Sequence, residues 1–416
     1  MLCGMHEHDG PLTRLRRGHE QSVLELLRKQ GPLSRAELSI RSGLSRTTLH
    51  DIVAALVGSG AVVASTPQVE ARKRGRPVEK LSLNPAAGEA VGIDFARRAV
   101  HVAAVNFAHE VVGSASESHA PDLSWPERVE HAERLLDALA TAPPDADEGE
   151  DGGQGRSSGV HLDALTAIGV GVVGPIADPG SEHAHAQGID GLPDLLRKRF
   201  GVPVLLDNNT RLAALAEAVW GAAADSSDVL YLRLSHGVGG GLVVGGALHR
   251  GRYGLSGEFG HITVDPVGGR TCECGGTGCL ETRASLDAVL SRYRESGGPA
   301  EDLAGFLEAV AAAEPTALAV LDHVGSDVGG VLAAVCHVVG AGVIVVGGEL
   351  AEAGPALLDP VERALRRHLM PMAQHHVDLR RATLGEAGSA LGGIALVLHE
   401  SPLLTQYPQP VSEEHA

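Results

Sequence analysis

The sequence predicts an α/β protein in two parts, a small N-terminal winged helix-turn-helix and a larger α/β body. Residues 19–63 contain three short helical patterns, and a basic stretch follows them. From about residue 85, Gly-rich turns, Val-rich strands and Ala/Leu helices alternate, which is typical of α/β layers. A length of 416 residues with 44% apolar residues suits two or three packed domains.

The three helical patterns have recognisable starts and ends. The second opens with the capping box Ser34-Arg-Ala-Glu37, and the third opens at Ser45. Gly31-Pro32 separates the first from the second, and the third carries its apolar residues at helical spacing, namely Leu49, Ile52, Val53 and Leu56. Two β-like runs, 61–64 and 79–83, flank the basic stretch, as the strands of a wing would.

Charge distinguishes the two parts. The chain carries a net charge of −18, but residues 1–80 hold thirteen Lys/Arg against eight Asp/Glu, a net +5, which leaves −23 for the remainder. A basic surface attracts the phosphate backbone and an acidic one repels it. Nucleic-acid binding is therefore expected only at the N-terminal head, while the acidic body discourages other DNA contacts.

The third helix is the predicted recognition helix. Its first turns present residues for phosphates and major-groove base edges, namely Ser45, Arg46, Thr47, Thr48 and His50. In the wing, Arg74, Gly75 and Arg76 are further candidates, with Arg76 directed at the minor groove. A charge run is often only a solvated linker, but its place after three capped helices favours DNA binding. Because one head reads few base pairs, we expect a homodimer or homotetramer on a palindromic double-stranded operator.

The predicted domains are 1–84 and 85–416. Within the body, residues 141–160 are rich in Gly, Asp, Glu and Ser, so we expect a disordered acidic loop there. The apolar run 331–348 is interrupted by His337, Gly340 and Gly342, which favours a buried helix and strand over a membrane span. The N-terminus is polar rather than signal-like, so we expect a cytoplasmic protein.

A compact group of metal ligands follows in the body. Cys272, Cys274 and Cys279 fall within eight residues, and His261 precedes them. Three thiolates and an imidazole suit a closed tetrahedral Zn²⁺ site, which is structural because a catalytic zinc keeps one open position. The alternative is three buried thiols beside an incidental histidine, but the scarcity of cysteine elsewhere favours zinc and a reducing compartment.

Three segments together resemble the ROK family of repressors, open reading frames and sugar kinases: Ser235–Gly241, Gly257–His261 and Cys272–Glu281. The resemblance covers nearly the whole chain and implies a two-lobed, actin-like and ribonuclease-H-like body that holds a sugar between its lobes. It places the sugar contacts on Asn208, Asn209, Glu258, His261 and Glu281. The N-terminal winged helix resembles the repressor branch of the family.

Two departures from the family kinases argue against phosphoryl transfer. Where those kinases have the phosphate loop Asp-x-Gly-Gly-Thr, this chain reads Asp94-Phe-Ala-Arg-Arg98. At the position of the carboxylate that takes the proton of the sugar hydroxyl, it has Asn209, and an amide cannot act as a base.

The sequence thus predicts a sugar-responsive DNA-binding transcriptional regulator, a repressor without enzymatic activity. Two alternatives stay open. One is an active ROK sugar kinase that carries an accessory head. The other is a ligand-independent, zinc-stabilised DNA-binding protein whose sugar cleft is vestigial.

Overall fold

The computed structural model describes residues 19–65, 79–141, 165–176, 189 and 191–400, apart from the single positions 21, 25, 29, 88, 109 and 341. The predicted wing residues Arg74, Gly75 and Arg76 lie outside the described residues, as does nearly all of the acidic segment 141–160.

The described residues of the head form three helices and a two-stranded sheet. Its elements are α1 (helical wherever residues 19–30 are described), α2 (Arg35–Ser42), α3 (Arg46–Gly58), β1 (Val62–Ser65) and β2 (Lys80–Leu83). β1 and β2 pair antiparallel, and Leu33 forms an isolated bridge with Leu81. Ser34 caps α2 in a capping box with Glu37. The Ser45 side chain caps α3 by accepting a hydrogen bond from the Thr48 backbone nitrogen. The predicted winged helix-turn-helix is confirmed.

The body is built on two five-stranded mixed sheets. The first has the strand order β5-β4-β3-β6-β7, with β3 at Glu89–Phe95, β4 at Ala99–Asn106, β5 at Val111–Ser118, β6 at Leu165–Val172 and β7 at Val204–Asn208. Apolar side chains of α4 (Trp125–Thr141) and α5 (Leu192–Phe200) cover one face of this sheet. Residues of α12 (Gly388–Glu400) cover the other.

The second sheet has the order β10-β9-β8-β11-β12, with β8 at Val229–Leu234, β9 at Val238–Val244, β10 at Ala247–His249, β11 at Val343–Gly347 and β12 at Asp378–Arg381. One face packs on α7 (Glu281–Ala284), α8 (Leu286–Glu295), α9 (Leu303–Ala311), α10 (Pro315–Val339) and α11 (Pro355–His368). The other packs on α6 (Asn209–Val219) and α12. α6 and α12 therefore lie between the two sheets.

The long helix α10 is a core helix. It is the one helix among the described residues with the length and hydropathy of a membrane span, and 56% of its apolar window is buried inside the protein. Its buried residues belong to the same core cluster as those of α11 and β11. A buried helix followed by a buried strand is what the interrupted apolar run 331–348 predicts.

Among the described residues, an aromatic side chain of the body packs on the head. Phe107, in the turn that follows β4, packs partly buried against the apolar core of the head. On the head side, the Asn84 amide nitrogen donates to the Gly60 carbonyl oxygen at 2.7 Å. The short turn Pro85–Ala87 lies between this bond and β3.

Glycines let α12 approach the first sheet at backbone distance. A Cβ placed on Gly169 of β6 would lie 1.8 Å from the Gly393 carbonyl oxygen, and one on Gly92 of β3 would lie 1.8 Å from the Ala390 carbonyl oxygen. Since real Cβ atoms do not approach so closely, any larger residue would push the helix away from the sheet.

We therefore expect Gly169→Ala to lower the free energy of unfolding by about 1–3 kcal/mol or more, because α12 must shift. Gly330→Ala in α10 is a matched control, since its Cβ would meet no atom nearer than 4.0 Å. The control should be neutral or slightly stabilising, because Ala is the better helix former. Thermal unfolding of both variants measures this, and equal midpoints would contradict the packing argument.

Candidate functional sites

The exposed face of α3 carries the predicted DNA-reading residues. Ser45, Arg46, Thr47 and His50 are exposed, and Thr48 is half-buried with its hydroxyl 2.8 Å from that of Ser45. The opposite face of α3 buries its apolar residues in the head, namely Leu49, Ile52, Val53 and Leu56. The structure thus brings these five polar residues to the start of one helix, where a major groove could be read.

The four predicted metal ligands come together. The ligand atoms of His261, Cys272, Cys274 and Cys279 all lie within 4.8 Å of one another. Cys272 Sγ is 3.6 Å from His261 Nδ1, and Cys274 Sγ is 3.7 Å from Cys279 Sγ.

These separations suit a tetrahedral zinc ion. With Zn–S bonds of about 2.3 Å and a Zn–N bond of about 2.05 Å, tetrahedral angles place two sulfurs about 3.8 Å apart and a sulfur and a nitrogen about 3.6 Å apart. Tight turns at Gly275 and Gly278, both with positive φ, return the chain between the cysteines. Donor set and spacing therefore fit a closed zinc site.

Three predicted sugar residues border this cluster. His261 turns its other ring nitrogen, Nε2, to within 4.0 Å of a carboxylate oxygen of Glu258. Glu281, the first residue of α7, accepts a hydrogen bond from the Val238 backbone nitrogen at 2.9 Å, and its other oxygen lies 3.8 Å from Cys272 Sγ. The cluster of predicted metal ligands and the predicted sugar residues therefore share His261, and both acids lie next to the cluster.

Burial raises the pKa of the Glu258 carboxyl, and the positive charge of Arg211 opposes that rise. His261 opposes it as well, whereas nearby Glu281 adds to it. A half-buried carboxylate with a guanidinium close by can accept hydrogen bonds from ligand hydroxyl groups.

Asn208 and Asn209 stand where β7 ends and α6 begins. The Asn208 side-chain oxygen caps α6 by accepting from the Thr210 and Arg211 backbone nitrogens at 3.0 and 3.1 Å. Its amide nitrogen donates to the Gly174 carbonyl oxygen at 2.9 Å. The Asn208 side chain thus links the start of α6 to the segment after β6 by hydrogen bonds. Asn209 is buried at the first position of α6.

Asp94 lies fully buried beside Asn209. A Cβ on Gly171 would be 3.2 Å from Asp94 Oδ1 and 3.1 Å from the Asn209 Cβ, so both residues flank the same glycine. The polar side chains of Asn209 and Ser389 lie near enough to lower the pKa of the Asp94 carboxyl, but among the described residues neither of its oxygens has a partner in good hydrogen-bond geometry. Burial raises the pKa of the Asp94 carboxyl, and the nearby His101 and Arg233 only partly oppose this.

The segment after Asp94 is a tight hairpin turn between β3 and β4. Phe95 pairs with Val100, and the intervening Arg97 and Arg98 are exposed. The Arg98 carbonyl oxygen accepts a hydrogen bond from the His119 backbone nitrogen at 2.8 Å.

The glycine-rich run Gly237–Gly241 has a packing explanation. A Cβ on Gly241 would lie 2.5 Å from the Ala214 Cβ of α6, and one on Gly240 would lie 2.3 Å from the Phe259 ring. These glycines admit α6 and Phe259 close to β9, so they are required whether or not a nucleotide binds.

The structure also contains a buried ionic cluster that the sequence analysis missed. Asp207 is fully buried and pairs with Arg211 at 2.7 Å and with Arg250 at 2.6 Å. The i,i+4 spacing of Asp207 and Arg211 was a visible signal. It is also the spacing of an ordinary surface ion pair, so it did not indicate burial.

Comparison with known proteins identifies the family of this chain. Residues 157–400 match the ROK family, and residues 16–63 match a winged helix-turn-helix DNA-binding domain. The chain belongs to the ROK family, and its body is the actin-like body of that family.

Relatives fall on both sides of the family. An N-acetylglucosamine repressor from Escherichia coli O157:H7 is 29% identical over 413 residues, which is 95% of this chain and 96% of the relative. A glucokinase from Halalkalibacterium halodurans is 35% identical over 263 residues, 58% of this chain and 79% of the kinase. A solved ROK family transcriptional regulator, a homologue of the E. coli MLC protein, superposes with a TM-score of 0.74 at 25% identity, covering 94% of this chain and 97% of the other.

We expect purified wild-type protein to carry about one zinc ion per chain and Cys274→Ala to lose it, because the variant keeps only three ligands. Cys336→Ala is a matched control, since Cys336 is a buried free cysteine outside the cluster. Zinc content measured by atomic emission tests this, and a wild-type protein purified in zinc-containing buffer that holds no metal would contradict it.

We expect Asp94→Asn to stabilise the protein at neutral pH by at least about 1 kcal/mol, because an amide has no charged form to bury. Below about pH 4, Asp94 is protonated in both the folded and the unfolded chain, so its burial does not lower the free energy of unfolding through ionisation. Because the pKa of the folded carboxyl is raised, stability is lost as the pH rises from there through that folded pKa. The advantage of Asn should therefore grow from pH 4 to pH 8.

Urea unfolding at several pH values measures this difference. Asp359→Asn, at an exposed position of α11, is the control and should change stability little. An Asp94→Asn variant less stable than wild type at pH 8 would mean that the carboxylate is paired and charged in the fold.

Proposed function

We propose that this chain is a sugar-responsive transcriptional repressor whose head binds operator DNA and whose ROK body binds a sugar or sugar derivative. The observation that carries the proposal is the union, in one chain, of a DNA-reading head and a ROK body with the sugar-site residues. The N-acetylglucosamine repressor matches both parts, since it aligns over 95% of the chain.

The sugar would lie against Asn208, Asn209, Glu258, His261 and Glu281. Carboxylates and amides offer oriented acceptors and donors to a ring of hydroxyl groups, which gives specificity in a partly buried site. Zinc held by His261, Cys272, Cys274 and Cys279 would brace this wall rather than react, because all four positions are filled by protein. His261 would serve both sites through its two ring nitrogens.

On the DNA, Ser45, Arg46, Thr47, Thr48 and His50 would face the major groove, and Arg74, Gly75 and Arg76 would belong to the wing contact. A homodimer or homotetramer would place two heads on a palindromic operator. We place the protein in the cytoplasm, where the operator is. For sugar to regulate, it must bind the DNA-competent and DNA-incompetent arrangements with different affinities.

Phosphoryl transfer is disfavoured by two features of the body. Asn209 cannot accept the proton of an attacking hydroxyl, and bulky residues replace the glycines of the kinase phosphate loop at Asp94–Arg98. The glucokinase relative keeps an active kinase as the second candidate. ADP release above background with hexoses in a coupled assay would support that candidate instead.

We expect a sugar to raise the unfolding temperature of the purified chain while ATP does not. At about 100 times its Kd, a ligand stabilises by about 2.7 kcal/mol. The screen would use N-acetylglucosamine, glucose, xylose and their phosphates. The same sugar should change the affinity for an operator selected from random duplexes, and Arg46→Ala should weaken operator binding without changing the thermal shift.

The outcomes separate the candidates. A sugar that shifts unfolding but leaves operator affinity unchanged would refute sugar-responsive regulation. Operator binding with no sugar shift would favour the ligand-independent, zinc-stabilised DNA-binding protein. A shift with ATP would favour the kinase.

A further inference from the structure

A buried cluster of charges joins the two lobes of the body next to the proposed sugar site, each lobe being one of the five-stranded sheets with the helices that cover its outer face. Arg211 Nε donates to Asp207 Oδ1 at 2.8 Å, and Arg250 Nε pairs with Asp207 Oδ2 at 2.6 Å. The Asn208 backbone nitrogen also donates to Oδ1, at 2.7 Å. Both oxygens of this fully buried carboxylate are therefore engaged.

The ion pair of Asp207 with Arg250 links the two sheets. Asp207 belongs to β7, the edge strand of the first sheet, whereas Arg250 directly follows β10, the edge strand of the second. Arg211, on α6, additionally donates to the Gly254 carbonyl oxygen. Two side chains thus anchor the segment Arg250–Gly257, here called the effector loop, to the junction of β7 and α6.

The effector loop leads directly into Glu258. It closes on itself where the Ser256 nitrogen donates to the Arg250 carbonyl oxygen at 3.2 Å. At its far end, Gly257 has φ +94° and packs so closely on β9 that a Cβ would lie 2.2 Å from the Gly240 carbonyl oxygen. Its far end thus rests on the second sheet, and its start is held to the first sheet by Asp207.

We propose that Arg250 is a positioning residue for the sugar site, because its ion pair with Asp207 holds the effector loop across the two lobes and so places Glu258. The inference rests on the proposed sugar binding. The ion pair joins an edge strand of each sheet. A sugar held between the lobes therefore favours the same relative position of the two sheets as the ion pair does.

The test variant is chosen so that no buried charge loses all of its partners. Removing Asp207 would leave two guanidinium groups around a buried site, which is strongly destabilising. Removing the Arg250 charge leaves Asp207 paired with Arg211, so Arg250→Gln should still fold. Arg252→Gln is the matched control, because Arg252 lies in the same loop, is exposed, and places its guanidinium 5.5 Å from the Tyr253 ring centroid.

The test is calorimetric titration of full-length variants with N-acetylglucosamine, glucose and xylose. We expect Arg250→Gln to weaken sugar binding at least about tenfold, Arg250→Lys to recover part of the loss, and Arg252→Gln to match wild type. Wild-type affinity in Arg250→Gln, or an equal loss in Arg252→Gln, would overturn the proposal.

Hydrogen exchange provides a second measurement that needs no ligand. Amides of the effector loop should exchange faster in Arg250→Gln than in wild type, and those of Arg252→Gln should not. If wild type binds none of the sugars, the proposed sugar binding fails on its own. Exchange still tests the anchor, and unchanged exchange in Arg250→Gln would overturn it.

Discussion

The positions of the two lobes depend on the packing of two helices, α6 and α12, between the sheets. Glycines on β3 and β6 admit the α12 backbone, and Gly241 on β9 admits α6. α6 is also held at its far end, because the buried Glu217 carboxylate accepts from the Thr383 and Leu384 backbone nitrogens at 2.9 and 3.0 Å. A helix fixed at both ends keeps Asn208 and Asn209 at a defined place between the lobes.

The sites of the body are coupled by shared side chains rather than by proximity alone. His261 belongs to the cysteine cluster through Nδ1 and approaches Glu258 through Nε2. Glu281 lies close to Cys272 and also receives the first backbone amide of β9. A distortion of the cysteine segment would therefore move acids of the proposed sugar site, because residues around a metal site and its ligands orient one another.

The sequence predicted the regular parts of the fold because their signals are local. Caps, breakers and apolar spacing located α2 and α3, and Cys spacing located the metal cluster. In the body, β5 carries a weak strand signal because its residues are largely polar or small and none of them is buried. α12 carries a weak helix signal because Gly388, Gly392 and Gly393 interrupt it. Gly393 and Gly392 have tertiary causes that no single-sequence pattern contains, namely the close approach of Gly393 to β6 and of Gly392 to α6.

For the sites, sequence reasoning identified which residues meet but not how they are engaged. It placed His261 with the cysteines and near Glu258, as the structure does. It did not indicate that the Asn208 side chain caps α6 or that Asp207 is buried between two arginines. The Asn208 cap is a local contact with the Thr210 and Arg211 backbone nitrogens, and asparagine occurs at many positions other than helix caps. The contact of Asp207 with Arg250 depends on how an edge strand of each sheet is placed, which residues far apart along the chain decide.

Phe107 bears on how the head can be used apart from the body. Phe107 follows β4 of the body along the chain, but its ring packs against the apolar core of the head. A fragment cut at the predicted boundary after residue 84 would separate Phe107 from the apolar core on which it packs. The head is thus not an independent module. An exchange of heads between relatives would have to include the matching turn after β4.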